Sequence, residues 1–205
     1  MADAITILYP LLCIMLPCFV YMFVRIKKPG VYLTKSHLIW ICIFFLYLYM
    51  VLNTTGIGSI WDIGKYDGII TTDKMNLVPF SDGLELSQIL NIIMFLPLGF
   101  LLPFIWKDMR SPLKTALAGT GYSFAIEFCQ LFNNRVTDIN DLIMNTLGAL
   151  FGYLIWIAFV CLFRPKGGNK ELPLSAHEAS VYLMLSILGE FFLFNWRWMI
   201  QLLYL

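Results

Sequence analysis

Charged residues are scarce in this chain. Aspartate, glutamate, lysine and arginine together make up 13% of the 205 residues, whereas a soluble domain carries about a quarter. Hydrophobic residues make up 60% of the chain, and the mean hydropathy is +0.77. So little charge excludes an ordinary soluble domain, and the composition indicates a membrane protein.

Several motifs that carry chemistry in other proteins are also missing. The cysteines form no CxxC pair and all lie in apolar segments, where we expect small packing residues: Cys13, Cys18, Cys42, Cys129 and Cys161. His37 and His177 are isolated, which argues against zinc. The sequence has no glycine-rich phosphate loop, no GxSxG elbow and no basic stripe of the size that nucleic acid needs. We therefore expect no cofactor, no metal ion and no nucleic-acid partner.

Uncharged apolar segments long enough to cross a bilayer recur along the chain. A hydrocarbon core about 30 Å thick requires roughly 20 apolar residues per helix. Windows without Asp, Glu, Lys or Arg cover 4–24, 36–61, 86–106 and 142–163. Two more windows, 115–134 and 179–196, are interrupted only by Glu127 and Glu190. The sequence therefore predicts an all-α, polytopic transmembrane bundle of about six spanning helices, with residues 1–205 forming a single membrane domain.

Basic residues are distributed unevenly between the predicted loops. Cytoplasmic loops of membrane proteins collect lysine and arginine. Ten of the 14 basic residues fall in alternate loops: Arg25, Lys27, Lys28, Lys35, Lys107, Arg110, Lys114, Arg164, Lys166 and Lys170. This asymmetry predicts that both termini and the 53–86 loop are extracytoplasmic.

The polar residues within the apolar segments form three stripes at helical spacing, one each on the third, fourth and fifth predicted helices. The stripes are Gln88 and Asn91; Ser123, Glu127, Gln130 and Asn134; and Asp138, Asp141, Asn145, Gly148 and Gly152. The two glycines at the end of the last stripe allow a neighbouring helix to approach closely. Because antiparallel neighbours joined by a short turn pack side by side, we expect the polar stripes to meet in the outer third of the membrane.

The carboxylates in these stripes need partners, because a carboxylate inside the hydrocarbon is costly. Arg135 is the only basic residue near enough in sequence to pair with Glu127 or Asp138. A purely structural interpretation makes Thr137 or Asp138 the N-cap of the fifth helix and places Asp141 at the favourable end of its dipole. Capping leaves four polar residues unexplained: Asn91, Glu127, Gln130 and Asn145.

Four segments of the chain occur in a distinctive order: NLVPF (76–80), NIIMFLPLGFLLP (91–103), SFAIEFCQ (123–130) and RVTDINDLIMNTLGALFG (135–152). Together they resemble the VanZ-like membrane protein family, and the resemblance covers residues 76–163. The matching motif positions are Asn91, Pro97, Gly99, Glu127, Gln130, Arg135, Asp138, Asp141, Asn145 and Gly148. The resemblance implies a multi-pass protein of a bacterial cell membrane. The founding member of that family is associated with low-level resistance to teicoplanin, a lipid-tailed glycopeptide.

We favour a binding function associated with glycopeptide resistance. In this interpretation an outward-facing polar pocket within the membrane holds a lipid headgroup, a lipid-linked cell-wall precursor or the lipoglycopeptide itself. Arg135 would grip a phosphate or carboxylate group, and the amides of Asn91, Gln130 and Asn145 would fix its orientation. Membrane lipids are then the expected partners.

Two other functions stay open. The chain is also compatible with an intramembrane enzyme that acts on a lipid-linked substrate, with Glu127 as general acid or base. Asp138 and Asp141 would then orient Glu127 or hold a divalent ion through their oxygens. A small proton-coupled transporter is the third option, since it too uses a buried glutamate.

Glu190 stands apart from the three stripes. It lies near the centre of the last predicted span, and Arg197 follows about two turns nearer the outside. We expect Glu190 to be protonated or hydrogen-bonded within the bundle, so that Glu190→Gln leaves folding and function unchanged. The alternative is that Glu190 completes the outer pocket from below.

Overall fold

The computed structural model describes residues 2–27, 34–65, 75–76, 78–80, 83, 85–133, 135–163 and 177–203. Within these ranges the chain forms seven α-helices and two short strands. They are α1 (Ala2–Ile26), α2 (Lys35–Thr55), β1 (Met75–Asn76), α3 (Leu86–Ile105), α4 (Pro112–Gln130), β2 (Thr137–Asp138), α5 (Ile139–Phe163), α6 (Glu178–Leu193) and α7 (Trp196–Leu203). Several residues used in the predictions lie outside the described residues: Lys28, Asn134, Arg164, Lys166 and Lys170.

The helices confirm the predicted all-helical fold. In the described part of the chain four helices are long and apolar enough to cross a membrane: Ile5–Ile26, Lys35–Asp62, Leu86–Ile105 and Ile139–Phe163. The 19-residue α4 carries glycines, hydroxyl residues and an internal glutamate, which lower its hydropathy, and α6 has only 16 residues. The count of six spans and the outward placement of the termini stay predictions.

Local signals set several helix ends. The hydroxyl of Thr34 accepts a hydrogen bond from the His37 N–H at 3.3 Å and caps the start of α2. That helix ends at Gly56, whose φ of 60° is the left-handed conformation that glycine adopts without steric cost. Pro112 occupies the first position of α4, where its missing N–H costs no helical hydrogen bond.

Helices α3 and α5 pack backbone against backbone. A Cβ added to Gly99 of α3 would overlap the carbonyl oxygen of Ala149, and one added to Gly152 of α5 would overlap that of Leu96. Small residues allow this approach where a larger side chain would not fit. The neighbour of the predicted glycine stripe is therefore α3.

A hydrophobic core fills the space between α1, α2, α3 and α6. Phe45 and Tyr182 meet edge to face with ring centres 4.8 Å apart, and both are fully buried. Glu178, at the start of α6, is buried but satisfied. It accepts hydrogen bonds from the Trp106 indole and the Tyr182 hydroxyl, both at 3.1 Å. Buried polar groups are tolerated when they are paired in this way.

One end of the bundle gathers the polar residues, and we call it the polar end. The C-termini of α2 and α4 meet there, where the Gln130 amide donates to the Thr55 carbonyl oxygen at 3.0 Å. The start of α1 and the end of α6 meet there as well, through a 3.1 Å hydrogen bond from the Tyr9 hydroxyl to the Leu193 carbonyl oxygen. Strands β1 and β2 pair in parallel, with Asn76 opposite Asp138. This is the end that the basic-residue asymmetry predicts to face outward.

Candidate functional site

Glu127 fixes the segment that connects α4 to α5. Its side chain is 6% exposed, and its Oε2 accepts a hydrogen bond from the Asp138 backbone N–H at 3.1 Å. The Thr137 hydroxyl donates to the Glu127 carbonyl oxygen at 3.4 Å. The carboxylate near the end of α4 thus holds the residues that lead into α5.

Asp138 caps α5 rather than belonging to it. The predicted stripe places Asp138 in the fifth helix, but that helix begins at Ile139 and Asp138 lies in β2. The reason is its carboxylate, which accepts a hydrogen bond from the Asn140 N–H at 2.8 Å in the manner of an N-cap. Its other oxygen accepts from the Asn76 amide at 3.4 Å, which ties β1 to the start of α5. The structure therefore favours the capping interpretation for this residue.

The polar stripes of α3 and α5 meet at Asn91 and Asp141. The Asn91 amide of α3 donates to Asp141 Oδ1 of α5 at 2.6 Å. Hydrogen bonds from amides to a charged oxygen are short and strong. The contact locks the starts of α3 and α5 together directly above their glycine interface.

Asn145 lies deeper, between α4 and α5. It is 2% exposed, and its amide nitrogen donates to the Ser123 hydroxyl at 2.9 Å. Its Oδ1 is buried and has no hydrogen-bond partner in the described part of the chain. Gln130 resembles it in this respect, because its Nε2 is bonded to Thr55 while its Oε1 is buried without a described partner. Each amide therefore uses its nitrogen in a hydrogen bond between helices, and its oxygen has no partner among the described residues.

Arg135 does not form the predicted ion pair. Among the described residues no carboxylate lies within salt-bridge distance of its guanidinium. The ion pair in the described part of the chain joins Lys65 to Asp62. The guanidinium packs instead on Gly56, where an added Cβ would lie 2.8 Å from one of its terminal nitrogens. Because Gly56 has no side chain, the end of α2 provides an open surface for the Arg135 side chain. Sequence proximity instead predicts that Arg135 pairs with Glu127 or Asp138.

The turn that carries Arg135 is held by its neighbour Asn133. The Asn133 amide donates to the Gly56 carbonyl oxygen at 2.9 Å, and its Oδ1 accepts from the Arg135 N–H at 2.8 Å. The backbone of Arg135 is thus fixed while its side chain stays exposed. A guanidinium held in this way is pre-organised for an incoming anion.

An open groove of about 510 Å³ lies beside Arg135 at the polar end. Its lining comprises Thr6, Pro10, Leu52, Asn53, Gly56, Ile57, Asp62, Lys65, Asn133, Arg135, Glu190, Phe194, Trp196 and Met199. Of the predicted site residues only Arg135 lines this groove. Sequence reasoning misses the groove because its walls come from α1, α2, α6 and α7, which lie far apart along the chain.

The predicted site residues therefore separate into three groups, one of which is the pair of buried amides, Gln130 and Asn145. We call a second group the carboxylate cluster; it comprises two separate hydrogen-bonded pairs, Glu127 with Asp138 and Asn91 with Asp141. Arg135 turns away from it into the groove. Within the described ranges no group of three or more His, Cys, Asp or Glu side chains is arranged to hold a metal ion.

The described residues form a helical protein in which four helices are long and apolar enough to cross a membrane and polar residues gather at one end. A family model described as VanZ/LLP1 matches residues 38–163, and the chain belongs to that family. The matched region runs from α2 to α5, so α1, α6 and α7 lie outside it. No curated protein and no solved structure matches the chain. Membership of this family and the four apolar helices are consistent with a membrane protein.

Proposed function

We propose that this protein binds the anionic head of an amphiphilic ligand at the outer face of the membrane, in the groove beside Arg135. One observation carries the proposal. Arg135 is an exposed guanidinium on a fixed backbone, it lines a groove of about 510 Å³, and no described carboxylate pairs with it. Guanidinium groups bind phosphate and carboxylate through two parallel hydrogen bonds.

The walls of the groove favour a ligand with an apolar part. Pro10, Leu52, Ile57, Phe194 and Met199 line it beside the charged residues. Close by, side chains of α1 and α2 such as those at 7, 8, 12 and 50 are more than half exposed and apolar, as expected of surfaces that contact lipid tails. An amphiphile can therefore place its head on Arg135 while its tails stay in the bilayer.

Three amphiphiles have this chemistry: a membrane phospholipid, a lipid-linked cell-wall precursor and a lipoglycopeptide of the teicoplanin type. In each, an anionic group lies next to an apolar tail. We propose that binding of this kind underlies low-level glycopeptide resistance, since occupying either the antibiotic or its membrane target lowers the amount of complex formed between them.

The carboxylate cluster has a positioning role in this function. Glu127 Oε2, Asp138 Oδ1 and Asp141 Oδ1 each accept a hydrogen bond from a neighbouring amide of the fold. These bonds hold the segment between α4 and α5 on which Arg135 lies. They favour positioning over the acid–base chemistry of the alternative intramembrane enzyme, in which Glu127 would need to reach a substrate.

The test is Arg135→Gln, with Arg197→Gln as the matched control. Arg197 is also an exposed arginine and lies over the Trp196 ring at 5.4 Å, but it does not line the groove. Hydrogen bonds to charged groups are worth about 1.5–3 kcal/mol, which corresponds to roughly 10- to 100-fold in affinity. We expect Arg135→Gln to weaken binding of an anionic lipid by that factor in native mass spectrometry, and Arg197→Gln to have little effect.

The same variants test the cellular function. We expect the wild-type gene to raise the teicoplanin concentration that inhibits a susceptible bacterium, and Arg135→Gln to remove that increase at equal protein level. If Arg135→Gln bound lipid and protected cells as well as wild type, the groove would not be the binding site.

A further inference from the structure

The groove contains charges of both signs, and two of its four charged residues already satisfy each other. Asp62 Oδ2 accepts hydrogen bonds from the N–H and hydroxyl of Ser59 at 2.9 and 3.0 Å. Asp62 Oδ1 lies 3.9 Å from Lys65 Nζ, which also lies 4.1 Å from the centre of the Trp196 ring. Arg135 and Glu190 are the remaining two, one basic and one acidic, and neither has an ion-pair partner among the described residues.

Glu190 is unusual among the buried acids of this chain. It is 7% exposed, and its Oε2 has no hydrogen-bond partner within the described ranges. The hydroxyl of Tyr9 on the facing helix donates to Leu193 instead. By contrast Glu178, the other buried acid of α6, accepts from two side chains. Of the two states expected for Glu190, protonated or hydrogen-bonded within the bundle, the second has no support at Oε2.

A buried carboxylate is stabilised by a positive charge that donates hydrogen bonds to it. The fold provides no such donor to Glu190 Oε2 in the part of the chain that is described. Glu190 lines the groove, and the terminal torsion of a glutamate side chain is broad, so that either oxygen can turn to the groove side. A cation entering the groove can therefore complete the site.

We propose that the groove selects a zwitterionic phospholipid headgroup that carries a primary ammonium, with its phosphate on Arg135 and its ammonium on Glu190. This inference rests on the proposed function, and it specifies the ligand of the same groove. It also replaces the expectation from the sequence that Glu190→Gln is silent with the alternative in which Glu190 completes the outer pocket.

The pair of charges explains why the ligand is a zwitterion and why its cation is a primary ammonium. A purely anionic headgroup satisfies Arg135 but leaves Glu190 without a partner. A trimethylammonium group carries the right charge but donates no hydrogen bond, whereas a primary ammonium donates three. Ethanolamine-type phospholipids meet both requirements, and choline-type phospholipids meet only the first.

A lipid is the source of this headgroup because the groove is partly apolar. Pro10, Leu52 and Phe194 line it between the charged residues. A soluble phosphoethanolamine would leave these side chains uncovered. The proposal therefore predicts that the tailed lipid binds and that the tailless headgroup competes poorly.

The experiment measures lipid binding to the purified full-length protein by native mass spectrometry, with ethanolamine-, choline- and glycerol-type phospholipids of identical tails. For wild type we expect the ethanolamine lipid to bind about tenfold tighter than the choline lipid, the effect expected of one hydrogen bond to a charged group. Glu190→Gln should abolish this preference, whereas binding of the glycerol lipid, an anion without a cation, should be at least as tight as in wild type because a negative charge beside the phosphate is removed. Glu178→Gln, which alters the satisfied acid of the same helix, should keep the preference.

Each other outcome is decisive. If wild type binds the ethanolamine and choline lipids equally, the inference is overturned and the proposed function stands. This comparison requires no variant. A preference that persists in Glu190→Gln overturns it in the same way. Failure of all three lipids to bind wild type overturns the inference and leaves the lipid-linked precursor or the lipoglycopeptide as the ligand of the proposed function. If soluble O-phosphoethanolamine competes at the same concentration as the lipid, the headgroup is recognised but the lipid assignment is wrong.

Discussion

Replacing Gly152 by alanine should destabilise the protein, although alanine is the better helix former by about 1 kcal/mol. A Cβ at this position would overlap the carbonyl oxygen of Leu96 and lie 2.9 Å from both the Gly99 Cα and the Phe100 nitrogen. All three are backbone atoms, which move only if α3 moves as a whole. Inserting a methyl group into a packed interface costs about 1–3 kcal/mol, and we expect the upper end of that range here.

The net effect is then a loss of about 2 kcal/mol in the free energy of unfolding. For a chain of this size about 1 kcal/mol corresponds to 2–4 °C, so the melting temperature should fall by roughly 4–8 °C. Tryptophan fluorescence during heating of the detergent-solubilised protein measures this change. Because the glycine contact joins α3 to α5, the loss is a direct measure of how tightly those two helices pack.

The matched control is Gly121→Ala on α4. A Cβ added at Gly121 meets no atom within 4 Å, so this variant gains the helix propensity of alanine without a clash. Its melting temperature should equal or exceed that of wild type. If Gly152→Ala melted as high as Gly121→Ala, α3 would yield to the extra methyl group and the close packing of α3 on α5 would not limit stability.

Two further predictions concern the site and the topology. Glu127→Gln should melt within about 2 °C of wild type because glutamine still accepts the Asp138 N–H, but it should lower ligand binding because a charge-assisted hydrogen bond is about twice as strong as a neutral one. Undiminished binding in that variant would remove Glu127 from the positioning residues. A cysteine placed at the exposed Val78 should react with a membrane-impermeant maleimide in intact cells, whereas one placed at the exposed Lys114 should not. Labelling only at Lys114 would reverse the predicted orientation.

The sequence predicts most of the helices and a close approach of some helix to the glycine stripe of α5, and the structure identifies that helix as α3. Apolar windows are local patterns that do not depend on how the helices pack, and a glycine stripe marks the face of a helix that a neighbouring helix can approach closely. Asn91 and Asp141 both lie near the start of a helix that begins at the polar end, so their similar depth can be counted from the two helix starts. These features depend on periodicity, which is local information.

The placement of Arg135 depends on tertiary information that no local pattern contains. Sequence proximity favours a pair with Glu127 or Asp138, yet both carboxylates are occupied by amides of the fold. The guanidinium then lies on Gly56, nearly 80 residues earlier, whose left-handed conformation leaves its surface open. The pairing of β1 with β2 is similar, since it joins two-residue segments too short to show any alternation.

The two halves of the proposed site come from different parts of the chain. Arg135 and the Gly56 surface on which it packs lie inside the region that matches the VanZ/LLP1 family, whereas Glu190 and Trp196 lie outside it. In the proposed binding mode, anion binding uses residues of the family region, and recognition of the ammonium uses α6. Because Glu190 does not contribute to the hydrogen bonds that hold Arg135, the preference for a headgroup can change through substitutions in α6 while the anion-binding half stays intact.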